Sequence, residues 1–193
     1  MRTSVAFDPS SEEKLLDISS RIDLFEGYTH AHGLRIAEIA DSIGNEFGMH
    51  EHDRKLMQQA ALLHDIGEMA MKRDYIREAR ELSDIERLDM QRHSVIGEQE
   101  AAKLGLPRSV QLLIRWHHEW WNGYGYPDRL AGEQIPLAAR IIRVADSFCA
   151  LTDNRPRRAA RSETEAVQYL IEWAGLEFDP RIVNLFLKLR KLS

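Results

Sequence analysis

Five histidines and two aspartates follow one another in a fixed order along this chain: His32, His64 beside Asp65, His93, the adjacent His117 and His118, then Asp146. A fold that uses them together must bring segments far apart in sequence to one cavity. Neutral imidazole nitrogens and carboxylate oxygens suit Fe, Mn or Zn, and a carboxylate such as Asp65 can bridge two ions where an imidazole cannot. A pair of bridged ions favours in-line displacement at phosphorus, because it lowers the pKa of the attacking water and stabilises charge on the phosphoryl oxygens. A phosphodiester or phosphomonoester is the substrate class such a set implies.

The segments between these residues read as helices. Apolar residues recur at helical spacing in Leu34, Ile36, Ala37, Ile39, Ala40 and Ile43, and again in Leu56, Ala60, Leu62 and Leu63, while strand-like alternation is scarce. Further helices are expected over 76–82, 84–103, 110–120, 137–151, 163–173 and 180–192, with Ser162 and Glu165 as a capping box. Loops fall at Gly105-Leu106-Pro107, Asn122 to Pro127, Arg155-Pro156 and Phe178-Asp179-Pro180. The class is all-α. Residues 1–26 are too few for an independent sensor domain, so they are expected to form a helical appendage packed on one domain spanning 27–193.

Composition narrows the setting. Lys plus Arg is 26 and Asp plus Glu 31, a net charge of -5 that argues against broad binding to nucleic acid. Cys149 is the single cysteine, so no internal disulfide forms. The start carries Glu12, Glu13 and Asp17 and no apolar run of signal-peptide or membrane-span length. The expectation is a cytoplasmic protein without membrane contact.

Taken singly, each candidate ligand has an ordinary structural reading. A lone His-Asp pair such as His64-Asp65, after the apolar run Ala60 to Leu63, is more often a buried histidine hydrogen-bonded to an acid. His93, four positions before Gly97, reads alone as a surface histidine. Successive helix positions diverge by ~100°, so His117 and His118 reach one cluster only where the helix ends, and the glycine-rich segment after Glu119 supplies that end. Asp146 interrupts an otherwise apolar face, where an unpaired carboxylate is costly to bury, so a cation belongs beside it. Their co-occurrence favours a metal site. Trp116, Trp120 and Trp121 read as core or pocket wall, able to stack a guanine, and His30, His50 and His52 as solvated.

With these motifs the chain resembles the HD-GYP domains, the bacterial branch of the HD metal-dependent phosphohydrolases associated with hydrolysis of cyclic di-GMP. The resemblance runs from about Tyr28 to Leu187. It rests on His32-Gly33-Leu34-Arg35-Ile36, Leu63 to Gly67, Arg92-His93 with Gly97, His117-His118-Glu119, Gly125-Tyr126-Pro127, Ile135-Pro136-Leu137, Val144-Ala145-Asp146, Arg155-Pro156 and Phe178-Asp179-Pro180.

The resemblance implies an HD-domain helical bundle with extra C-terminal helices, holding two divalent metal ions, iron or manganese. His32, His64, Asp65 and Asp146 would hold one ion and Asp65, His93, His117 and His118 the other, with His64 and Asp65 as the catalytic pair. A hydroxide shared by the ions would open cyclic di-GMP to pGpG and then GMP. Arg155 and Arg158 would face substrate phosphates, or else form a solvated helix start; Tyr126 would line the pocket rim, or pack in the core. The family also implies contact with diguanylate cyclase (GGDEF) proteins through the Gly-Tyr-Pro region, while the sequence leaves open whether the domain pairs with itself as a homodimer.

Departures fall around the substrate. Glu68 stands where the family's His-Asp motif ends in lysine, so a carboxylate meets an anionic dinucleotide and is placed to orient a metal or its water. Lys72, a turn further on, is the nearest replacement cation. Tyr28 replaces the acid that allows a third metal in some members, and Asn122, Cys149 and Arg157 also differ from the usual residues. The alternative readings are therefore a weakly active binding module, or a hydrolase of another cyclic dinucleotide or a nucleotide phosphate.

Overall fold

Apolar periodicity becomes helix wherever a face can be buried. In the computed structural model, which describes residues 9–154 and 159–191, the order is α1 (Pro9–Glu26), α2 (His32–Glu46), α3 (Glu51–Leu62), α4 (Ile66–Met71), α5 (Asp84–Met90), α6 (His93–Lys103), α7 (Arg108–Trp116), α8 (Leu137–Thr152), α9 (Glu163–Glu172) and α10 (Pro180–Leu189). Among the described residues there is no β-strand, only an isolated bridge between Ala174 and Phe178. The all-α expectation holds.

Two expected helices differ. Residues 76–82 form no helix beyond the 3-10 turn Asp74–Ile76. Ile76 is buried there, but Arg77 to Glu81 are exposed, and Arg80 pairs with Glu86 at 2.7 Å. Without an apolar face to dock, so short a segment cannot offset the cost of helix nucleation. The stretch 84–103 is two helices, because the chain turns at Gln91-Arg92. α5 begins at a Ser83–Glu86 capping box and buries nothing, whereas α6 buries His93, Ser94, Gly97 and Ala101.

The core lies where α2 packs on α3 and α8, and where α6 packs on α4 and α7. Ile36 and Ile43 of α2 belong to one core cluster with Met57, Leu63, Ile114, Ile141, Ile142 and Phe148, all fully buried. Each such side chain contributes roughly 1.5–3 kcal/mol on leaving water. The C-terminal helices close the bundle through Phe178, Ile182 and Phe186. Asp179 caps α10 by accepting from the Arg181 amide at 2.9 Å, and its other oxygen takes Arg140 of α8 at 2.7 Å.

α1 buries Leu15 and Ile22 against this body. It also completes α2. The N-cap residue Ala31 offers no side-chain acceptor, and Asp23 Oδ1 instead accepts from the Gly33 amide at 3.1 Å. The first turn of α2, which carries His32, is thereby tied to α1. Arg155 and Arg158 lie outside the described residues. No described helix is long and apolar enough to cross a membrane.

Candidate metal centre

Helix ends converge on one point inside the bundle. His32 opens α2 and His93 opens α6, His64 and Asp65 lie in the turn from α3 to α4, His117 and His118 follow the last residue of α7, and Asp146 projects from α8. His117 sits at the C-cap with φ -66 and ψ -14. The helix thus stops where the histidine pair needs it to, and both rings reach the cluster, their centroids 4.0 Å apart.

The donors fall into two groups that meet at Asp65. Ligand atoms of His32, His64 and Asp146 lie within 4.8 Å of one another, as do those of Asp65, His93, His117 and His118. Asp65 Oδ1 is 3.2 Å from His93 Nε2 and 3.5 Å from His117 Nε2, while its Oδ2 is 3.0 Å from His64 Nε2. His64 Nε2 in turn stands 3.9 Å from Asp146 Oδ1, and His32 Nε2 3.8 Å from the same oxygen. One carboxylate therefore spans both groups.

The outward nitrogens explain why the inward ones are available. His64, His93 and His117 each donate Nδ1–H to the carbonyl three residues earlier, on Ala61 at 2.9 Å, Met90 at 2.6 Å and Ile114 at 2.6 Å. His32 donates Nδ1–H to Asp153 Oδ2 at 2.9 Å. In a neutral imidazole this leaves the Nε2 lone pair facing inward. His32 Nε2, His64 Nε2 and Asp65 Oδ1 are buried without a hydrogen-bond partner, which protein interiors rarely tolerate. This donor set fits divalent metals bound by nitrogen and oxygen.

The electrostatics agree. Burial depresses the His93 pKa to about 4, and burial together with His117 and Arg143 holds His118 well below its usual range, so both stay neutral. Burial would also depress His64, but the Asp65, Asp146 and Glu26 carboxylates override it and raise its pKa well above normal. Asp65, though buried, is held well below the carboxylate range by His64, His117 and His93. The carboxylates draw positive charge to this point, and a cation on Nε2 supplies it as a proton would.

Asp153, which the sequence reading passed over, is the support for His32. It also pairs with Arg35, which reaches Thr152 Oγ1 at 2.9 Å. Asp153→Asn keeps the shape and removes the charge, and should weaken Mn(II) binding by about tenfold or more. Equilibrium dialysis with metal analysis checks this; unchanged affinity would refute Asp153 as support for a ligand.

Two cavities open on the cluster. One, of about 230 Å³, is lined by Asp65, Glu68, His118, Arg143, Asp146 and Glu177 among others. The second, of about 840 Å³, is lined by Glu26, Arg80, Arg87, His93 and Tyr126, and shares Glu68, His118 and Ala150 with the first. Tyr126 packs its ring 4.8 Å from that of His118, so it is at once pocket wall and support. Glu119, 2% exposed, holds this loop by accepting from the Asp128 amide at 2.7 Å and the Leu130 amide at 3.0 Å.

Other candidates lie elsewhere. Trp120 packs edge-on against Trp173, Trp121 lies under Arg140 and Arg181, and neither lines either cavity. Lys72 is exposed at the left-handed end of α4, away from both cavities. Glu26 of α1 was invisible to motif reading, yet its carboxylate lies within 4.8 Å of those of Asp65 and Glu68. Arg143, the cation beside Asp146, was present in the sequence but unassigned.

Known proteins resemble this chain in sequence and fold. The family model described as HD domain matches residues 14–182. The chain is 36% identical to the cyclic di-GMP phosphodiesterase response regulator RpfG of Xanthomonas campestris pv. campestris, over 91% of this chain and 47% of that protein. It is 31% identical to a cyclic di-GMP phosphodiesterase of Thermotoga maritima, over 98% of this chain and 53% of that protein. The chain thus spans about half the length of these curated relatives. A crystal structure of a cyclic GMP-AMP specific phosphodiesterase of Vibrio cholerae shares the fold, with a TM-score of 0.74 at 23% identity over 93% of this chain and 48% of that one. The chain belongs to the HD domain family, in the branch marked by the signature Gly125-Tyr126-Pro127.

Proposed function

We propose that this chain is a metal-dependent phosphodiesterase that hydrolyses cyclic di-GMP to pGpG and then GMP. The observation that carries the reading is the pair of donor groups joined at Asp65, with two adjoining cavities that open on them and share Glu68, His118 and Ala150. In this reading His32, His64 and Asp146 would hold one ion and His93, His117 and His118 the other, Asp65 would serve both, and Fe or Mn would be the metals. When bound, two divalent ions lower the pKa of the attacking water and neutralise charge on the phosphoryl oxygens. The chain fixes the imidazoles through their Nδ1 bonds and excludes bulk water by burial. The adjoining cavities, of about 230 and 840 Å³, together offer more space than a single phosphate group needs, which suits a nucleotide substrate. Arg155 and Arg158 are proposed phosphate contacts, Tyr126 a wall of the substrate pocket, and Glu68 a group orienting metal or water. The catalytic unit is 27–193, with 1–26 as an appendage that supplies Asp23 and Glu26.

Anaerobic protein loaded with Fe(II) or Mn(II) should release pGpG or GMP from cyclic di-GMP, read by chromatography. Metal binding without product would instead establish a binding module, the outcome that Glu68 favours. The Vibrio cholerae relative, named for cyclic GMP-AMP, favours running 3'3'-cGAMP in the same assay; preferential cleavage of it would move the substrate within the same class. Tyr124, 83% exposed in the loop before Gly125, marks the surface proposed to meet diguanylate cyclase (GGDEF) proteins or a second copy of the chain.

A further inference from the structure

Arg143 is the only cation among the described residues lining the smaller cavity, where it faces the carboxylates of Asp65, Glu68, Asp146 and Glu177. Its guanidinium is held at three points. Nη2 pairs with Glu177, a buried carboxylate whose second oxygen accepts from the Tyr169 hydroxyl at 2.8 Å. Nη1 reaches Asp146 Oδ2 at 3.3 Å and donates to His118 Nδ1 at 2.9 Å. Nε is buried without a hydrogen-bond partner.

The contact with His118 sets that residue apart from the other histidines. A neutral imidazole has one N–H and one lone pair, and a guanidinium can only donate. His118 Nδ1 therefore accepts, and the ring proton sits on Nε2. A metal taken by Nδ1 needs the lone pair that Arg143 uses. A metal taken by Nε2 needs the proton on Nδ1, where it would face an arginine donor. In both cases a metal on His118 and this hydrogen bond exclude each other, and the two cations also repel. Glu177 still tethers the released guanidinium at the cavity, where its planar fork can take two phosphate oxygens.

We propose that Arg143 is a phosphate-binding residue of this site, released from His118 when that histidine takes up a metal. The proposal rests on the phosphodiesterase reading above and places on α8 the cation that Glu68 takes away from α4. Two divalent ions balance the four carboxylates of the cavity, so Arg143 supplies the remaining positive charge toward an anion.

The test compares full-length wild type, Arg143→Gln, and the double variant Arg143→Gln/Glu177→Gln. The double variant protects the fold, because it removes the buried Glu177 charge together with its partner. Mn(II) uptake is measured by equilibrium dialysis, and inorganic phosphate binding to Mn(II)-loaded protein by calorimetry. Phosphate affinity should fall about tenfold or more in both variants, while Mn(II) binds at least as tightly as in wild type. Phosphate affinity within about twofold of wild type, or Mn(II) and phosphate affinities falling together as for a merely structural residue, overturns the proposal. Wild-type turnover of cyclic di-GMP is scored separately: its absence counts against the substrate reading, and the two binding results still decide the role of Arg143.

Discussion

Asp65→Asn should abolish the proposed phosphodiester hydrolysis, with a loss of roughly 10³-fold or more, because it removes a charge that both proposed ions would share. Asp65 is the only residue of the set within 3.5 Å of donors in both groups, through Oδ1 to His93 and His117 and through Oδ2 to His64. Asparagine keeps one acceptor oxygen but turns an N–H₂ toward the other group, where a donor repels a cation. Loss of the buried negative charge also releases His64, whose pKa is raised by Asp65 first and Asp146 next against the pull of burial. Metal content by elemental analysis should fall below two ions per chain in parallel with product formation. Full metal occupancy with activity within about tenfold of wild type would remove Asp65 from the bridging role and with it the two-ion reading.

That aspartate and its partners were legible in the sequence because each sits in a local pattern: His64-Asp65 after an apolar helix, His117-His118 before a glycine-rich loop. The all-α class was legible for the same reason, since periodicity is a local property. What escaped was set by other segments. The break at Gln91-Arg92, which points His93 inward, depends on α6 having a core to face and α5 having none. The Ser83–Glu86 capping box was present as a pattern and would have marked the start of α5, though not its end. Asp23 capping α2, Asp153 supporting His32 and Glu26 beside Asp65 are contacts between distant segments, with no signature of their own. Lys72 illustrates the converse. It is one turn from Glu68 in sequence, but α4 ends there and turns it to solvent.

Gly67→Ala should cost about 3 kcal/mol or more and lower the melting temperature by roughly 6–12 °C, since a protein of this size loses about 2–4 °C per kcal/mol. α4 and α6 cross at this glycine. A Cβ there would fall 2.7 Å from the Gly97 amide nitrogen and 2.8 Å from the His93 carbonyl carbon, with the carbonyl oxygen closer still. These are backbone atoms in a helix and cannot rotate aside as a side chain would, so the two helices must part. Gly97 faces α4 with less strain, a Cβ there lying 3.5 Å from the Gly67 amide nitrogen, and is crowded instead by Ile114 Cγ2 of α7 at 2.9 Å. Parting them moves Asp65, at the start of α4, away from His93, at the start of α6, while His32, His64 and Asp146 lie on the far side of the cluster. The variant should therefore lose the ion proposed for His93, His117 and His118 more readily than the other, giving about one tightly bound Mn(II) per chain against the two expected of wild type. A melting temperature within about 2 °C of wild type together with two bound ions would show that the helices can separate without cost, and that the closeness of α4 and α6 does not set the geometry of the site.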